Sequence, residues 1–138
     1  MVLAATNFPW EIDEALVRRL EKRIHIPLPD LEARKQMFDL NMRTINLSPD
    51  MNVMALAEKT EGYSGADISL ICRDASLMSM RRAIEGKTPD EIRNMPKEQL
   101  ELPITLQDFL NALGKTKPSV NPEDLKKFAK WSSEHGSV

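Results

Sequence analysis

Three parts of this 138-residue chain carry groups that could take part in chemistry at a bound ligand. Asn7 has a side-chain amide, which can donate and accept a hydrogen bond at the same time. Arg18 and Arg19 place two permanent positive charges side by side. Gly65 and Ala66 stand where a helix is predicted to begin, and a glycine there lets a ligand approach the exposed backbone amides.

Each of these groups also has an ordinary structural explanation. Asparagine after an apolar run is common in turns, and the residues around Asn7 alone favour that interpretation. Arginines at the end of a short helix are favourable beside the negative end of its dipole. Ser64 and Asp67 have the spacing of a capping box, so Gly65 fits a capped helix start whether or not a ligand binds.

The sequence contains no complete catalytic motif. It has no Gly-x-x-x-x-Gly-Lys-[Ser/Thr] loop for phosphate and no apolar run that ends in paired acids for magnesium. The two histidines, His25 and His135, lie far apart, and neither stands beside a nucleophile motif. The single cysteine, Cys72, excludes an internal disulfide, and its place on an apolar helical stripe predicts a buried thiol.

The charge and hydropathy of the sequence exclude some kinds of binding partner. Because 19 Lys and Arg face 21 Asp and Glu, the net charge of −2 argues against binding driven by nucleic-acid phosphates. No apolar run approaches the roughly 18 residues that a membrane helix needs. We therefore expect neither a nucleic-acid nor a membrane partner. The N-terminus lacks the pattern of a signal peptide, which favours the cytosol or nucleus.

The elements that must position these groups are of two kinds. Residues 2–5 are predicted to form a strand buried on both faces, and residues 23–26 a half-buried strand, with a short helix capped by Asp13 between them. Two strands do not make a stable sheet, so residues 1–29 resemble the end of a larger α/β unit. The rest of the chain is helical, with helices predicted from Asp30 to about Arg43, from Pro49 onward, from Ser64 to near Gly86, from Thr105 onward, and from Asn121 to about Glu134.

The remaining pattern indicates which side chains pack. Residues 87–103 are polar, contain prolines and are acidic overall, and no helix is predicted there. Trp131 is predicted to anchor the last helix on the bundle. Four methionines at helical spacing are predicted to belong to the core: Met37, Met42, Met54 and Met78.

Four segments, in this order, resemble the C-terminal half of an AAA ATPase. They are residues 4–7 (AATN, followed by Pro9), 13–23 (DEALVRRLEKR), 26–30 (IPLPD) and 61–68 (EGYSGADI). Residues 72–78 (CRDASLM) and 88–94 (TPDEIRN), with the closing KW and GS pairs, resemble the katanin branch of its meiotic clade, whose catalytic subunits sever microtubules.

The resemblance implies a mainly α fold. It predicts a small helical-bundle lid domain, preceded by the last strands of a truncated large α/β domain. The implied segments are residues 1–29 from the large domain, 30–115 as the lid, and 116–138 as a C-terminal helix packed on the bundle.

The resemblance also implies roles for six residues. Asn7 matches the sensor-1 residue that orients the attacking water, and Arg18 with Arg19 match the paired arginine fingers that act on a neighbouring subunit's nucleotide. Val17 takes a place where relatives often have a third arginine. Gly65 and Ala66 match lid residues that pass close to adenosine. Asn41 occupies a variable position near the adenine.

The implied whole protein is a hexamer that hydrolyses ATP with Mg²⁺. Its partners are identical subunits, tubulin in microtubules and a regulatory katanin subunit, and its location is the cytoplasm and the microtubule cytoskeleton. This chain alone has no predicted metal ligand and is not expected to bind nucleotide tightly or to hydrolyse it, because the phosphate loop and magnesium acids are absent. The alternative is a free-standing helical module that binds or poisons AAA hexamers without catalysis.

Overall fold

A computed structural model describes residues 1–137 of the chain and shows a mainly helical protein. A 3₁₀ helix at Pro9–Glu11 is followed by eight α-helices within the described residues. They are α1 (Glu14–Arg19), α2 (Leu31–Met42), α3 (Val53–Lys59), α4 (Gly65–Ile84), α5 (Pro89–Arg93), α6 (Lys97–Leu100), α7 (Leu106–Lys115) and α8 (Pro122–His135).

The helices fall into two compact units. One unit, the bundle, is Leu28–Ser119, and the other, the terminal unit, joins Met1–Pro27 to the chain from Val120 onward. In the bundle, α4 packs against α2 and α7, and α2 also packs against α3. The centre of the bundle is fully buried and apolar, with Phe38 and Phe109 in edge-to-face contact 6.3 Å apart.

Three helix starts in the bundle follow the predicted capping residues. Asp30 accepts a hydrogen bond from the Ala33 amide at 2.8 Å, which begins α2. Reciprocal capping boxes begin α4, from Ser64 and Asp67, and α7, from Thr105 and Asp108. These contacts satisfy amides that have no partner inside the helix, so the local sequence determines where each helix starts.

A buried cation ties α2 to α3. The side chain of Arg34 lies in the interior, where its Nε donates to the carbonyl of Ala57 at 3.0 Å and an Nη donates to the carbonyl of Pro29 at 2.9 Å. The Ala57 carbonyl belongs to the last turn of α3, where a positive charge is favoured.

The terminal unit has almost no interior. Among its described residues only Pro9 is buried. The contacts are aromatic: Trp10 meets Phe128 of α8 edge-on at 5.0 Å, and the ring of His25 stacks on Phe128 at 5.8 Å. Trp131 stacks on His135 at 5.2 Å, within the same unit.

The predicted strands are wrong within residues 1–137, where the structure has no strand and only an isolated bridge between Leu47 and Ile104. Val2 and Leu3 are 84% and 92% exposed, and Ile24 and Ile26 are also exposed. A strand needs hydrogen-bonding neighbours. Within the described residues, segment 2–5 has no backbone hydrogen bond to another segment, and segment 23–26 has only one, from the Ser137 amide to the Arg23 carbonyl at 3.0 Å.

Three further expectations need correction. The second predicted helix begins at Val53 rather than at Pro49, because Asn52 supplies the cap through its bond to the Ala55 amide at 3.1 Å. Residues 87–103 contain α5 and α6, and Thr88 begins α5 with a capping box. Met54 is 38% exposed, whereas the other three predicted core methionines, Met37, Met42 and Met78, lie in or against the core.

The predicted burial of Cys72 is confirmed. The boundaries predicted for the three segments of the chain stay a prediction. None of the helices described in residues 1–137 has the length and apolar character needed to cross a membrane.

Candidate functional site

The two adjacent arginines are presented on a short, well-capped helix. Asp13 begins α1 by accepting a hydrogen bond from the Ala15 amide at 2.8 Å, and Arg18 and Arg19 form its last turn. Both arginines are exposed. Arg18 lies 3.5 Å from Glu14 in a pair whose side chains are 82% and 90% exposed, so the contact is weak and easily exchanged. The geometry therefore leaves both guanidinium groups available to another molecule.

Asn7 is exposed on a bend before the 3₁₀ helix. The hydroxyl of Thr6 accepts a hydrogen bond from the Phe8 amide at 3.1 Å and so closes a small turn around Asn7. No hydrogen bond joins the Asn7 amide group to another residue in the described part of the chain. Within the described residues, no hydrogen bond joins Asn7 to Arg18 or Arg19.

The start of α4 offers two backbone amides. Ser64 and Asp67 satisfy each other, with the Ser64 amide donating to Asp67 Oδ2 at 2.9 Å and the Asp67 amide donating to Ser64 Oγ at 3.2 Å. The amides of Gly65 and Ala66, in the first turn, have no hydrogen-bond partner within residues 1–137. Ala66 is exposed and Gly65 is partly so.

The chain turns sharply just before this helix start. Gly62 has a φ of +81°, a backbone conformation that residues other than glycine rarely adopt. At Gly65, by contrast, an added Cβ would meet only the flexible end of Met37 at 3.5 Å, an ordinary contact. The fold itself therefore requires glycine at 62. It does not require one at 65, where a larger side chain would mainly cover the amides.

Asp67 carries the local negative charge. Its Oδ2 accepts from the amide and hydroxyl of Ser64, both at 2.9 Å, and from the amide and hydroxyl of Ser119 at 3.1 and 3.0 Å. Burial raises the pKa of the Asp67 carboxyl, but these four donors outweigh it, so its pKa lies below the ordinary 3.8. A permanent anion beside the Gly65 and Ala66 amides disfavours a phosphate there and suits an uncharged acceptor, such as a base or sugar oxygen.

Asn41 lies on α2, one turn after the Met37 that borders Gly65. Its Nδ2 donates to the Met37 carbonyl at 2.7 Å, which occupies part of the side-chain amide within its own helix. Met37 thus links Asn41 to the start of α4.

Sequence reasoning did not find three residues around this helix start. The hydroxyl of Tyr63 donates to the Thr116 carbonyl at 2.9 Å, and Ser119 bonds to Asp67 across 52 positions of sequence. Contacts of this length leave no periodic or motif signal in a single sequence. Only the adjacency of Tyr63 to the capping box could have suggested a role.

Metal ligation is not provided by the described residues. No group of three or more His, Cys, Asp or Glu side chains in residues 1–137 could hold a metal ion. These residues therefore offer no cluster of ligands for Mg²⁺, an ion that prefers carboxylate and phosphate oxygens.

Two family models match most of the helical part of the chain. Residues 50–94 match the AAA+ lid domain, and residues 76–136 match the Vps4 C terminal oligomerisation domain. Together with the capped helical bundle, these two matches identify the class of protein. The chain belongs to the AAA ATPases and carries their C-terminal lid and oligomerisation region.

Within that family the chain is similar to the ATPase-containing subunits of katanin p60. All 138 residues align with the A1 form of this katanin protein from Strongylocentrotus purpuratus at 57% identity. They align with the A-like 1 form from Danio rerio at 55% and from Homo sapiens at 58%. The chain spans 27% of the length of the first relative and 28% of the other two.

Solved structures show the same fold. The FIGL-1 AAA domain in complex with ADP matches with a TM-score of 0.84 and 30% identity, over 96% of this chain and 44% of that chain. A structure described as the structural basis for katanin self-assembly matches with a TM-score of 0.78 and 37% identity, over 93% of this chain and 45% of that chain. The predicted family and the predominantly helical lid fold are confirmed.

Proposed function

We propose that this chain is the C-terminal region of a katanin-type microtubule-severing ATPase, in which it supplies sensor 1, the arginine fingers and the nucleotide lid. The observation that carries the proposal is the exposed pair Arg18 and Arg19, held in the last turn of a capped helix and free of any buried partner. The 55–58% identity to katanin p60 proteins over the whole chain supports it.

Arg18 and Arg19 are proposed to act on ATP bound by a neighbouring subunit. Phosphoryl transfer needs positive charge beside the transferring group, and guanidinium groups provide it with fixed geometry. Two exposed arginines at the end of α1 can reach out of their own subunit, whereas buried arginines such as Arg34 cannot. Asn7 is proposed to orient the attacking water, since its amide can accept from that water and donate to a phosphate oxygen.

The start of α4 is proposed to close over the adenosine of the subunit's own nucleotide. The two amides of Gly65 and Ala66 are available as donors, and the Asp67 anion selects against phosphate at this point. Asn41 is proposed to border the adenine on the α2 side. ATP with Mg²⁺ is the expected substrate of the full-length protein. The ion neutralises phosphate charge when bound, and its ligands are assigned outside this chain.

Assembly and partners follow from the same proposal. The match to an oligomerisation domain and the likeness to a structure of katanin self-assembly support a ring of identical subunits, proposed to be a hexamer. The similarity to katanin p60 proteins supports two partners of the full-length protein, tubulin in microtubules and a regulatory katanin subunit. It also supports a location in the cytoplasm and on the microtubule cytoskeleton.

The deciding experiment mixes two inactive variants of the full-length protein that carries this chain. One variant lacks its phosphate-loop lysine, and the other has Arg18→Ala and Arg19→Ala. Fingers that act on a neighbour predict partial recovery of hydrolysis, because some interfaces pair an intact site with intact fingers. The arginine variant alone should bind ATP normally and hydrolyse it about 10³-fold more slowly.

Lys22→Ala is the matched control, because Lys22 is an exposed cation close to the pair that has no assigned role. It should hydrolyse ATP as the wild type does. An arginine variant that has lost ATP binding itself would remove the finger assignment. This 138-residue chain lacks a phosphate loop. Hydrolysis of ATP by the chain alone would therefore contradict the proposal that the phosphates are bound by another part of the full-length protein.

A further inference from the structure

The linker between α7 and α8 is fastened to the start of α4, the helix proposed above to form the nucleotide lid. Residues 116–119 leave the end of α7 and continue through Val120 to Asn121, the capping residue of α8. Two contacts hold this linker at the start of α4. Tyr63 donates to the Thr116 carbonyl, and Ser119 gives both its amide and its hydroxyl to Asp67.

The shared acceptor is a single oxygen. Asp67 Oδ2 receives two donors from Ser64, which shape the helix start, and two donors from Ser119, which hold the linker. The hydroxyls of Ser64 and Ser119 are themselves 3.3 Å apart. Because hydrogen bonds to a carboxylate are directional, a displacement of the linker changes how Asp67 holds the residues that flank Gly65 and Ala66.

The start of α7 shows that this arrangement is not required by the cap. It has the same capping box, from Thr105 and Asp108, but there the carboxylate pairs with Arg82 at 3.1 Å instead of a linker. The capping carboxylate of α7 thus pairs with a residue of α4, whereas the capping carboxylate of α4 is shared with the segment that leads into α8, the last helix of the stretch that matches the Vps4 C terminal oligomerisation domain.

We propose that Ser119, acting through Asp67, is a positioning residue that couples nucleotide binding at the start of α4 to the assembly of subunits through α8. This coupling rests on the proposed lid function. A nucleotide that fixes the amides of Gly65 and Ala66 also favours the linker position that satisfies Asp67. Coupling of this kind is reciprocal, so assembly favours nucleotide binding by the same factor.

The test measures assembly of the full-length protein that carries this chain. Sedimentation velocity gives the concentration of half-assembly with and without a non-hydrolysable ATP analogue, and the ratio of the two is the coupling. Ser119→Ala removes the hydroxyl donor and should lower this ratio about fivefold or more. Ser119→Thr restores a hydroxyl and should restore the ratio.

Thr105→Ala is the control, because it removes a capping hydroxyl from the start of α7, the position that Ser64 holds in α4, where the capping carboxylate pairs with Arg82. It should leave the ratio at the wild-type value. The coupling is overturned if Ser119→Ala leaves the ratio unchanged, or if Thr105→Ala lowers it as much as Ser119→Ala does. Neither result would affect the proposed lid function. A wild-type protein that binds the nucleotide analogue but assembles equally well without it overturns the coupling alone, whereas one that fails to bind the analogue overturns the proposed lid function.

Discussion

The bundle and the terminal unit are stabilised in different ways. The bundle has a continuous buried core in which Phe38, Leu56 and Phe109 are essentially inaccessible to solvent. The terminal unit relies on partly exposed aromatic contacts around Phe128, and only Pro9 is buried among its described residues. Because stability follows buried apolar area, the bundle should account for nearly all of the free energy of unfolding of this chain.

Two phenylalanines give the sharpest test of that difference. Phe109 and Phe128 each have an edge-on aromatic partner, but Phe109 is fully buried and Phe128 is only partly so. Phe109→Ala should lower the free energy of unfolding by about 3–5 kcal/mol, because it opens a cavity in the core. Phe128→Ala should cost less than about 1.5 kcal/mol in the same urea titration. Similar losses for the two variants would contradict the division between the units.

Replacement of the buried Arg34 in the bundle should have the next largest effect on the free energy of unfolding. Arg34→Met keeps the apolar stem but leaves the Pro29 carbonyl without its charged donor. We expect a loss of about 1.5–3 kcal/mol in urea unfolding. Arg93→Met is the control, because Arg93 forms only an exposed pair with Asp90, and it should change stability by less than about 0.5 kcal/mol. Equal effects of the two changes would show that the Arg34 bonds contribute little.

Acid should weaken the bundle through Asp67. Because the folded pKa of Asp67 lies below 3.8, its carboxylate stabilises the fold above that pH, and the contribution is lost as the pH falls through the folded pKa. Asp67→Asn should lower the free energy of unfolding by about 1–2 kcal/mol at pH 7, and this difference from the wild type should shrink below pH 3.8.

Urea titrations from neutral pH down to acid measure this difference. Asp39→Asn, at an exposed position on α2, is the control and should follow the wild type throughout. If the Asp67→Asn difference stays constant through the acid range, the carboxylate is not the group responsible.

Removal of residues 1–27 should have the smallest effect on the bundle. The single thiol, Cys72, is a convenient probe because burial raises its pKa to about 12, so that it stays neutral and protected in the folded bundle at about pH 8. Its labelling rate by a thiol reagent should be unchanged by the deletion, since none of the core lies in the deleted residues. Fast labelling, or loss of cooperative melting, would show that the bundle depends on the N-terminal segment.

The two units also differ in how well their structure could be predicted from sequence. Helix starts at Asp13, Asp30, Ser64 and Thr105 were predictable, because a cap is formed by residues two or three positions apart. The strands were wrongly predicted because an apolar run specifies a strand only when neighbouring strands are present. The roles proposed for the six site residues stay predictions that rest on family resemblance: Asn7, Arg18, Arg19, Asn41, Gly65 and Ala66.

Long-range polar contacts could not be predicted from the sequence, for a different reason. Arg34 resembles any other charged helix residue in the sequence, although its bond to Ala57 spans 23 positions and depends on how α3 packs. Ser119 and Asp67 similarly become partners only after α7 has packed against α4. Such pairs depend on tertiary packing, which no local pattern in one sequence encodes.

The short parallel bridge between Leu47 and Ile104 has a practical consequence for protein engineering. The Ser48 amide donates to the Ile104 carbonyl at 3.0 Å, and the Ile104 amide donates to the Asn46 carbonyl at 2.9 Å. With Arg82 bonded to the Pro103 carbonyl, these contacts anchor the chain immediately after α6. Because lengthening a loop between fixed ends costs little entropy, the exposed stretch around Lys87 is a suitable place to insert a fluorescent or affinity tag.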